Sequence, residues 1–281
     1  MEYNLGGGGT NSAAAFSGLG MKTAFLGKVG KGYHSKLIMD YMRQHKIDTK
    51  FVVRGNAHSA VSIILDNLEK DRVILAHKGV NEFLLMRDIK LKTLKTKWIY
   101  SSSLTGASFE TLKKVCGYAV KNNINVAFNP SSYMTEKGIF YLRPVLRNIK
   151  VLVFNLHEAT LLTKEEKLST IFRKLLSLGP EIIVITEGKQ GVHAVDGTHM
   201  YSIKSNHVKV IDTTGAGDAF AASFVAGLIR KKGIEFSLKI GIENATSVIQ
   251  HIGAKNGLLT WDQALKKIKV DKKKIIKTRL Y

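Results

Sequence analysis

Residues Ile211 to Phe224 read IDTTGAGDAFAASF, which sets two aspartates and a Gly-Ala-Gly turn between two apolar runs. The preceding HVKVI predicts a strand, and from Asp218 onward Phe220, Phe224, Leu228 and Ile229 fall at helical spacing. Gly215, Ala216 and Gly217 are therefore expected at a strand-to-helix turn. Backbone N–H groups there lack intrahelical partners, and the helix dipole adds partial positive charge. Small residues let an anion come close to such a backbone. Asp218, in the first turn, would cap the helix well. Capping alone requires neither the glycines nor the doubled threonine. A carboxylate beside an anion-binding turn suits phosphoryl transfer: the turn neutralises the transferring group while Asp218 accepts the proton of the attacking hydroxyl.

Three other loops carry weaker signals. GKVGKGYH, from Gly27, imitates a phosphate-binding loop, but Tyr33 stands where the lysine is needed. TEGKQG, Thr186 to Gly191, follows the strand-like EIIVI and reads either as a nucleotide loop or as a tight hairpin turn. NLHE, Asn155 to Glu158, places an amide and a carboxylate after VLVF, which suits Mg²⁺ or its water shell, or simply a helix start.

The elements that must position these loops alternate from about residue 95 onward. KWIYSS, INVAFN, KVLVFN, EIIVIT and VKVID are short, apolar and β-branched, as strands buried on both faces should be. Helical patterns such as SFETLKKVCGYAVKNN and STIFRKLLSLG separate them. Strands alternating with helices imply βαβ units and a mostly parallel sheet, with ligands beyond the carboxyl ends of its strands. Residues 51–80 differ: KFVVRG, SAVSIILD and DRVILAH, the last two joined by the polar turn NLEK, predict a small antiparallel lid within one domain spanning 1–281.

Composition narrows the setting. Hydrophobic residues make 44% of the 281 positions, enough for a sizeable core. The apolar runs are far shorter than the roughly 20 residues of a membrane span. The N-terminus lacks a signal-peptide pattern and Cys116 is the single cysteine, so a cytoplasmic protein is expected. Cys116 falls in an apolar helical pattern and reads as core, and the nine histidines show no metal-ligand spacing. The net charge of +21 favours anionic partners, and KKIKVDKKKIIKTRLY concentrates it at the end of the chain. Neither aromatic interleaving nor zinc-finger spacing accompanies it, so nucleic acid is not the expected partner.

Taken together, the motifs resemble the ribokinase/PfkB family of carbohydrate kinases. DTTGAGDAF is similar to that family's C-terminal signature and GGGGTNSAAAFSGLG, Gly6 to Gly20, to its N-terminal one, while NLHE, TEGKQG and IGAKNG follow in the family's order. The resemblance implies a ribokinase-like three-layer α/β sandwich with a mostly parallel central sheet and a small antiparallel β lid. It implies ATP-dependent transfer to a primary hydroxyl of a sugar, with Asp218 as base and Gly215, Ala216 and Gly217 as anion hole. Gly7, Gly9 and Asn11 would contact sugar hydroxyls. Asn155 and Glu158 would organise phosphates and Mg²⁺. Thr186, Gly188 and Gly191 would line the nucleotide site, with Asn244 near the base. Asp212, Thr214 and the loop around Gly253 match positions that bind a monovalent cation, K⁺, in some members. The lid would close over the sugar and serve as a homodimer face.

Two departures fall on the sugar side. Only MEYNL precedes Gly6, where members usually have a strand bearing a substrate-holding aspartate. Gly32 and Ser35 stand where aspartate and glycine are common. A nucleoside kinase of the same superfamily, or a non-catalytic PfkB-like binding protein, is the alternative reading.

Overall fold

The structure, a computed structural model, describes residues 4–66 and 72–280. Its first part runs α1 (Gly8–Gly18), β1 (Gly27–Lys31), α2 (Tyr33–Gln44), β2 (Val52–His58), β3 (Val61–Asp66) and β4 (Arg72–His77). Short 3₁₀ turns then lead to β5 (Trp98–Ser101), α3 (Ala107–Lys121), β6 (Asn125–Phe128), α4 (Ser132–Thr135) and α5 (Gly138–Leu146). Next come β7 (Val151–Asn155), α6 (Leu156–Thr163), α7 (Leu168–Leu176), β8 (Ile182–Thr186), β9 (Val192–Val195) and β10 (His199–Ile203). The chain closes with α8 (Ala216–Ile229), α9 (Gly233–Val248), α10 (Trp261–Val270) and β11 (Ile276–Arg279).

β5 to β11 form one seven-stranded sheet in chain order, parallel from β5 through β8 and antiparallel from there to β11. The period-two alternation of a strand sorts its side chains between two helical layers. Ala127, Val151, Val153 and Val184 face α1, α8 and α9. Their chain neighbours Val126, Phe128, Leu152, Phe154, Ile183 and Ile185 face α3, α5, α6 and α7. Each face is apolar, so the strands read as continuous apolar runs and the sheet is covered on both sides, giving the expected three-layer α/β sandwich. Cys116 is buried in α3, where its pattern placed it. No helix among the described residues is long and apolar enough to cross a membrane.

Three expectations are corrected. Residues 208–212 are not a strand. The sheet position beside β10 is taken by β11, the basic tail, and the N–H groups of Ile211 and Asp212 both turn to the carbonyl of Ile249, at 2.8 and 3.3 Å. In the region of the lid, only β3 and β4 pair antiparallel. β2 pairs with β1 in parallel, Gly27 opposite Val52, because α2 carries the chain back across as a βαβ crossover. The turn expected at 67–70 lies outside the described residues.

Asn244 is the third. It is wholly buried, its Nδ2 donating to Ser223 Oγ at 2.6 Å and its Oδ1 accepting from Leu259 N–H at 3.0 Å. The side chain ties α9 to α8 and to the segment entering α10, and it presents no surface to a nucleotide base. Asn244→Ala should therefore lower the unfolding free energy by about 1–3 kcal/mol, the cost of stranding buried partners, while the folded variant keeps the wild-type affinity for ATP. Urea unfolding and calorimetric ATP titration read the two effects separately. Phe224, also wholly buried, provides a packing comparison in α8: Phe224→Ala should cost about 3–5 kcal/mol in the same unfolding experiment.

Candidate active site

α8 begins where its sequence says it should. Gly215 caps it with φ +78°, a left-handed conformation, and a Cβ there would lie 2.2 Å from the carbonyl oxygen of Ala254. Only glycine fits. The Ala216 N–H donates to Thr213 O at 3.3 Å, while among the described residues no acceptor takes the N–H of Gly217 or Asp218. Those two donors, at the positive end of a 14-residue helix, are the ones open to an anion.

Asp218 stands in this first turn, facing α1. Asn11, buried in α1, donates from Nδ2 to Asp218 Oδ2 at 2.8 Å. Gly8 closes the approach: a Cβ on it would fall 2.3 Å from Ser102 Oγ and 3.1 Å from Asp218 Oδ1. Burial pushes the Asp218 carboxyl above the usual carboxylate range, and the Asn11 hydrogen bond and the charge of Lys255 oppose that shift. Lys255, on the turn after α9, donates to Asn11 Oδ1 at 3.3 Å and to the carbonyl of Leu5. Burial lowers its ammonium to about 8, with Asp218 pulling the other way. Tyr100 of β5 lies in the same field; burial first, then the Asp218 charge, raises its hydroxyl.

The sequence analysis singled out Asp218, Gly215, Ala216, Gly217, Gly7, Gly9 and Asn11, and the packing of α1 on α8 gathers them into one place. Gly7 caps α1, and Gly9, in its first turn, backs onto the ring of Phe25. Lys255 was quoted within IGAKNG but given no role. A single lysine among 43 basic residues gives no signal of its own.

The other candidates lie at the carboxyl ends of β7 and β8, whose register sets Asn155 directly opposite Thr186. Asn155 and Glu158 form a reciprocal cap on α6: Asn155 Oδ1 accepts from the Glu158 N–H at 2.8 Å, and Glu158 Oε2 accepts from the Asn155 N–H at 3.0 Å. Ser132 Oγ reaches Glu158 Oε1 at 3.4 Å. Burial raises the Glu158 carboxyl, and the negative charge of Asp218 adds to the rise, so the two carboxylates share one electrostatic environment. Thr186 Oγ1 donates to Phe154 O at 3.4 Å. Gly188 opens the 3₁₀ turn Gly188–Gln190, and Gly191 ends it against the backbone of Ile203 and Lys204.

Asp212, Thr214 and Gly253 also meet. Asp212 Oδ1 accepts from the Thr214 N–H at 2.9 Å and its hydroxyl at 2.6 Å, and Oδ2 accepts from the Gly253 N–H at 3.0 Å. On the substrate side, Ser35 fills the position where glycine is common. It is buried, its Oγ lying 2.7 Å from Ser59 Oγ, which accepts from the Gly30 N–H at 2.8 Å. This hydroxyl pair joins α2 to the segment between β2 and β3.

Comparison with known proteins follows the same lines. An uncharacterized sugar kinase of Archaeoglobus fulgidus is 28% identical over 249 residues, covering 86% of this chain and 97% of that protein. The ribokinase of Bacillus subtilis is 30% identical over 259 residues, covering 91% and 84%. Among solved structures, Arabidopsis thaliana ribokinase complexed with ribose and ATP superposes with a TM-score of 0.84, covering 95% of this chain and 88% of that one. At 22% identity it speaks for the fold alone. The model of the pfkB family carbohydrate kinases matches residues 1–261, and the chain belongs to that family.

Proposed function

We infer that this chain transfers the γ-phosphoryl group of ATP to a primary hydroxyl of a carbohydrate, with Asp218 as the general base. The observation that carries the reading is the position of Asp218: a carboxylate raised by burial, in the first turn of α8, beside two backbone donors that have no acceptor. In the transfer, the acceptor oxygen forms a bond to γ-phosphorus and the bond to the ADP oxygen breaks. The acceptor proton passes to Asp218. A carboxyl pushed upward by burial is a stronger base than a free aspartate, which suits an alcohol whose pKa lies far above neutrality. The N–H groups of Gly217 and Asp218, with the small Gly215–Ala216 turn, face the charge that develops on the transferring group.

Asn155, Thr186, Gly188 and Gly191 are assigned to the nucleotide, and Gly7, Gly9 and Asn11 to acceptor hydroxyls. Glu158 fits Mg²⁺ through the ion's water shell, since its oxygens are engaged by the Asn155 N–H and Ser132 and its carboxyl is raised first by burial and then by the negative charge of Asp218. Among the described residues there is no group of three or more His, Cys, Asp or Glu side chains placed to cage a metal, which agrees with an ion held largely by phosphates and water. When bound, Mg²⁺ neutralises charge on the phosphate oxygens. Asp212, Thr214 and Gly253 are assigned to K⁺. The β3–β4 hairpin, with Val61, Ile63 and Leu75 exposed, is assigned as the lid that excludes water from the transfer and as the face for a second copy.

The test is ATP consumption over ribose, fructose, 2-keto-3-deoxygluconate, sugar phosphates and adenosine. Turnover on a sugar is expected; turnover on adenosine alone would move the reading to nucleoside kinases. Asp218→Asn should lower kcat about 10²–10⁴-fold while ATP binding persists, and a variant that still turns over would remove Asp218 from the base role. The base must be ionised, and its pKa in the folded protein is raised. The kcat/KM profile should therefore fall on acidification at a higher pH than an ordinary aspartate would dictate. Replacing K⁺ by tetramethylammonium, too large for a turn of this size, should reduce turnover; unchanged rates would remove the cation from the assignment.

A further inference from the structure

Lys255 reaches from the turn after α9 into the acceptor side of the site, where it touches three separate segments. Its Nζ donates to the carbonyl of Leu5, ahead of α1, and to Oδ1 of Asn11 within α1, and it stands 4.8 Å from the centre of the Tyr41 ring on α2. An ammonium group has three donors and no acceptor, so two are engaged among the described residues. The consequence lies one bond further on. An amide can present either its oxygen or its NH₂ to a neighbour. With Oδ1 turned to Lys255, the Asn11 amide must present Nδ2 to Asp218, where the 2.8 Å hydrogen bond is found. The reversed amide would set an oxygen against a carboxylate and a hydrogen-bearing nitrogen against an ammonium. Both contacts would be repulsive.

We propose that Lys255 is a positioning residue of the phosphoryl transfer: it fixes the Asn11 amide so that its N–H holds Asp218, and it places a positive charge beside that carboxylate. The proposal rests on the assignment of Asp218 as base. Asn11 transmits the geometric part, and Lys255 supplies the electrostatic part directly. The other ionisable groups facing Asp218 are Glu158 from α6, whose charge opposes its ionisation, and Tyr100 from β5, a neutral hydroxyl. Lys255 is the cation in this group. Among the described residues no other lysine or arginine contributes to the charge state of Asp218.

The acceptor found with the wild-type protein serves for the test, which compares Lys255→Met, Lys255→Arg and Lys255→Ala by steady-state kinetics across pH. Lys255→Met should lower kcat by about 10²-fold, the penalty of a misplaced catalytic group, and leave KM for ATP within about twofold. Its kcat/KM should begin to fall on acidification at a higher pH than the wild type, because the charge that favours ionised Asp218 is gone. Lys255→Arg keeps the cation and should keep the wild-type acid limb. Ethylammonium added to Lys255→Ala should restore part of the turnover, which a merely structural lysine would not allow and which shows the variant to be folded. A Lys255→Met enzyme with wild-type kcat and an unmoved acid limb overturns the proposal, and so does a loss of turnover with neither a shifted limb nor rescue. Absence of turnover by the wild type on every acceptor overturns the kinase reading itself, a result distinct from both.

Discussion

A carboxylate drawn out of water in the first turn of a helix is the constraint on which this site depends. Taking Asp218 out of water disfavours its charge, and the loss must be offset by donors and cations supplied by the fold. Here those come from parts of the chain far apart in sequence: Asn11 on α1 and Lys255 on the turn after α9. None can act until α1, α8 and α9 are packed. The apolar layer that packs them, with Ala15, Phe16, Ala221, Phe224 and Leu238, is thus a condition for the electrostatics as well as for stability. Gly8 belongs to the same constraint, since any side chain there would press on Ser102 and Asp218 and separate α1 from the carboxylate.

The loops after β7 and β8, proposed for the nucleotide, are organised by a different device. Parallel strands end together, and the pairing of Asn155 with Thr186 aligns the starts of two loops at one edge of the sheet. What joins the halves is charge. Glu158, held in place by its reciprocal cap with Asn155, feels the field of Asp218, and each makes ionisation of the other harder.

Much of this was legible in the sequence, and the exceptions share a physical cause. The four parallel strands could be read because both of their faces are apolar, and α8 because its cap glycines and its Phe220–Phe224 spacing agree. Residues 208–212 carry the same valine and isoleucine content, yet the sheet position beside β10 is held by β11. β11 itself reads as a charged tail: Ile276 to Arg279 are all exposed, and an edge strand rich in Lys and Arg is favoured for resisting further pairing. Asn244 misled because an amide in a family-like position looks the same whether it faces a ligand or a buried hydroxyl. Lys255 was invisible for a statistical reason. Among 43 basic residues one more lysine carries no signal, and only the coordinates set it apart from the solvated rest.

Two positions at the start of α2 depart from the family pattern, and one of them is taken up by a buried hydroxyl. Where the resemblance leads one to expect an aspartate and a glycine, Gly32 and Ser35 stand instead, and Ser35 turns inward to meet Ser59 and, through it, the backbone of Gly30. That bond pattern pins the chain at the point where it leaves β2 for the β3–β4 hairpin. Beyond Ser59 the hairpin presents Val61, Ile63 and Leu75 to solvent, whereas below Ser59 the backbone of Gly30 and Gly79 is closely packed. Ser35 and Ser59 thus tie α2 to the base of the hairpin through a pair of buried hydroxyls, a contact that glycine at position 35 could not make.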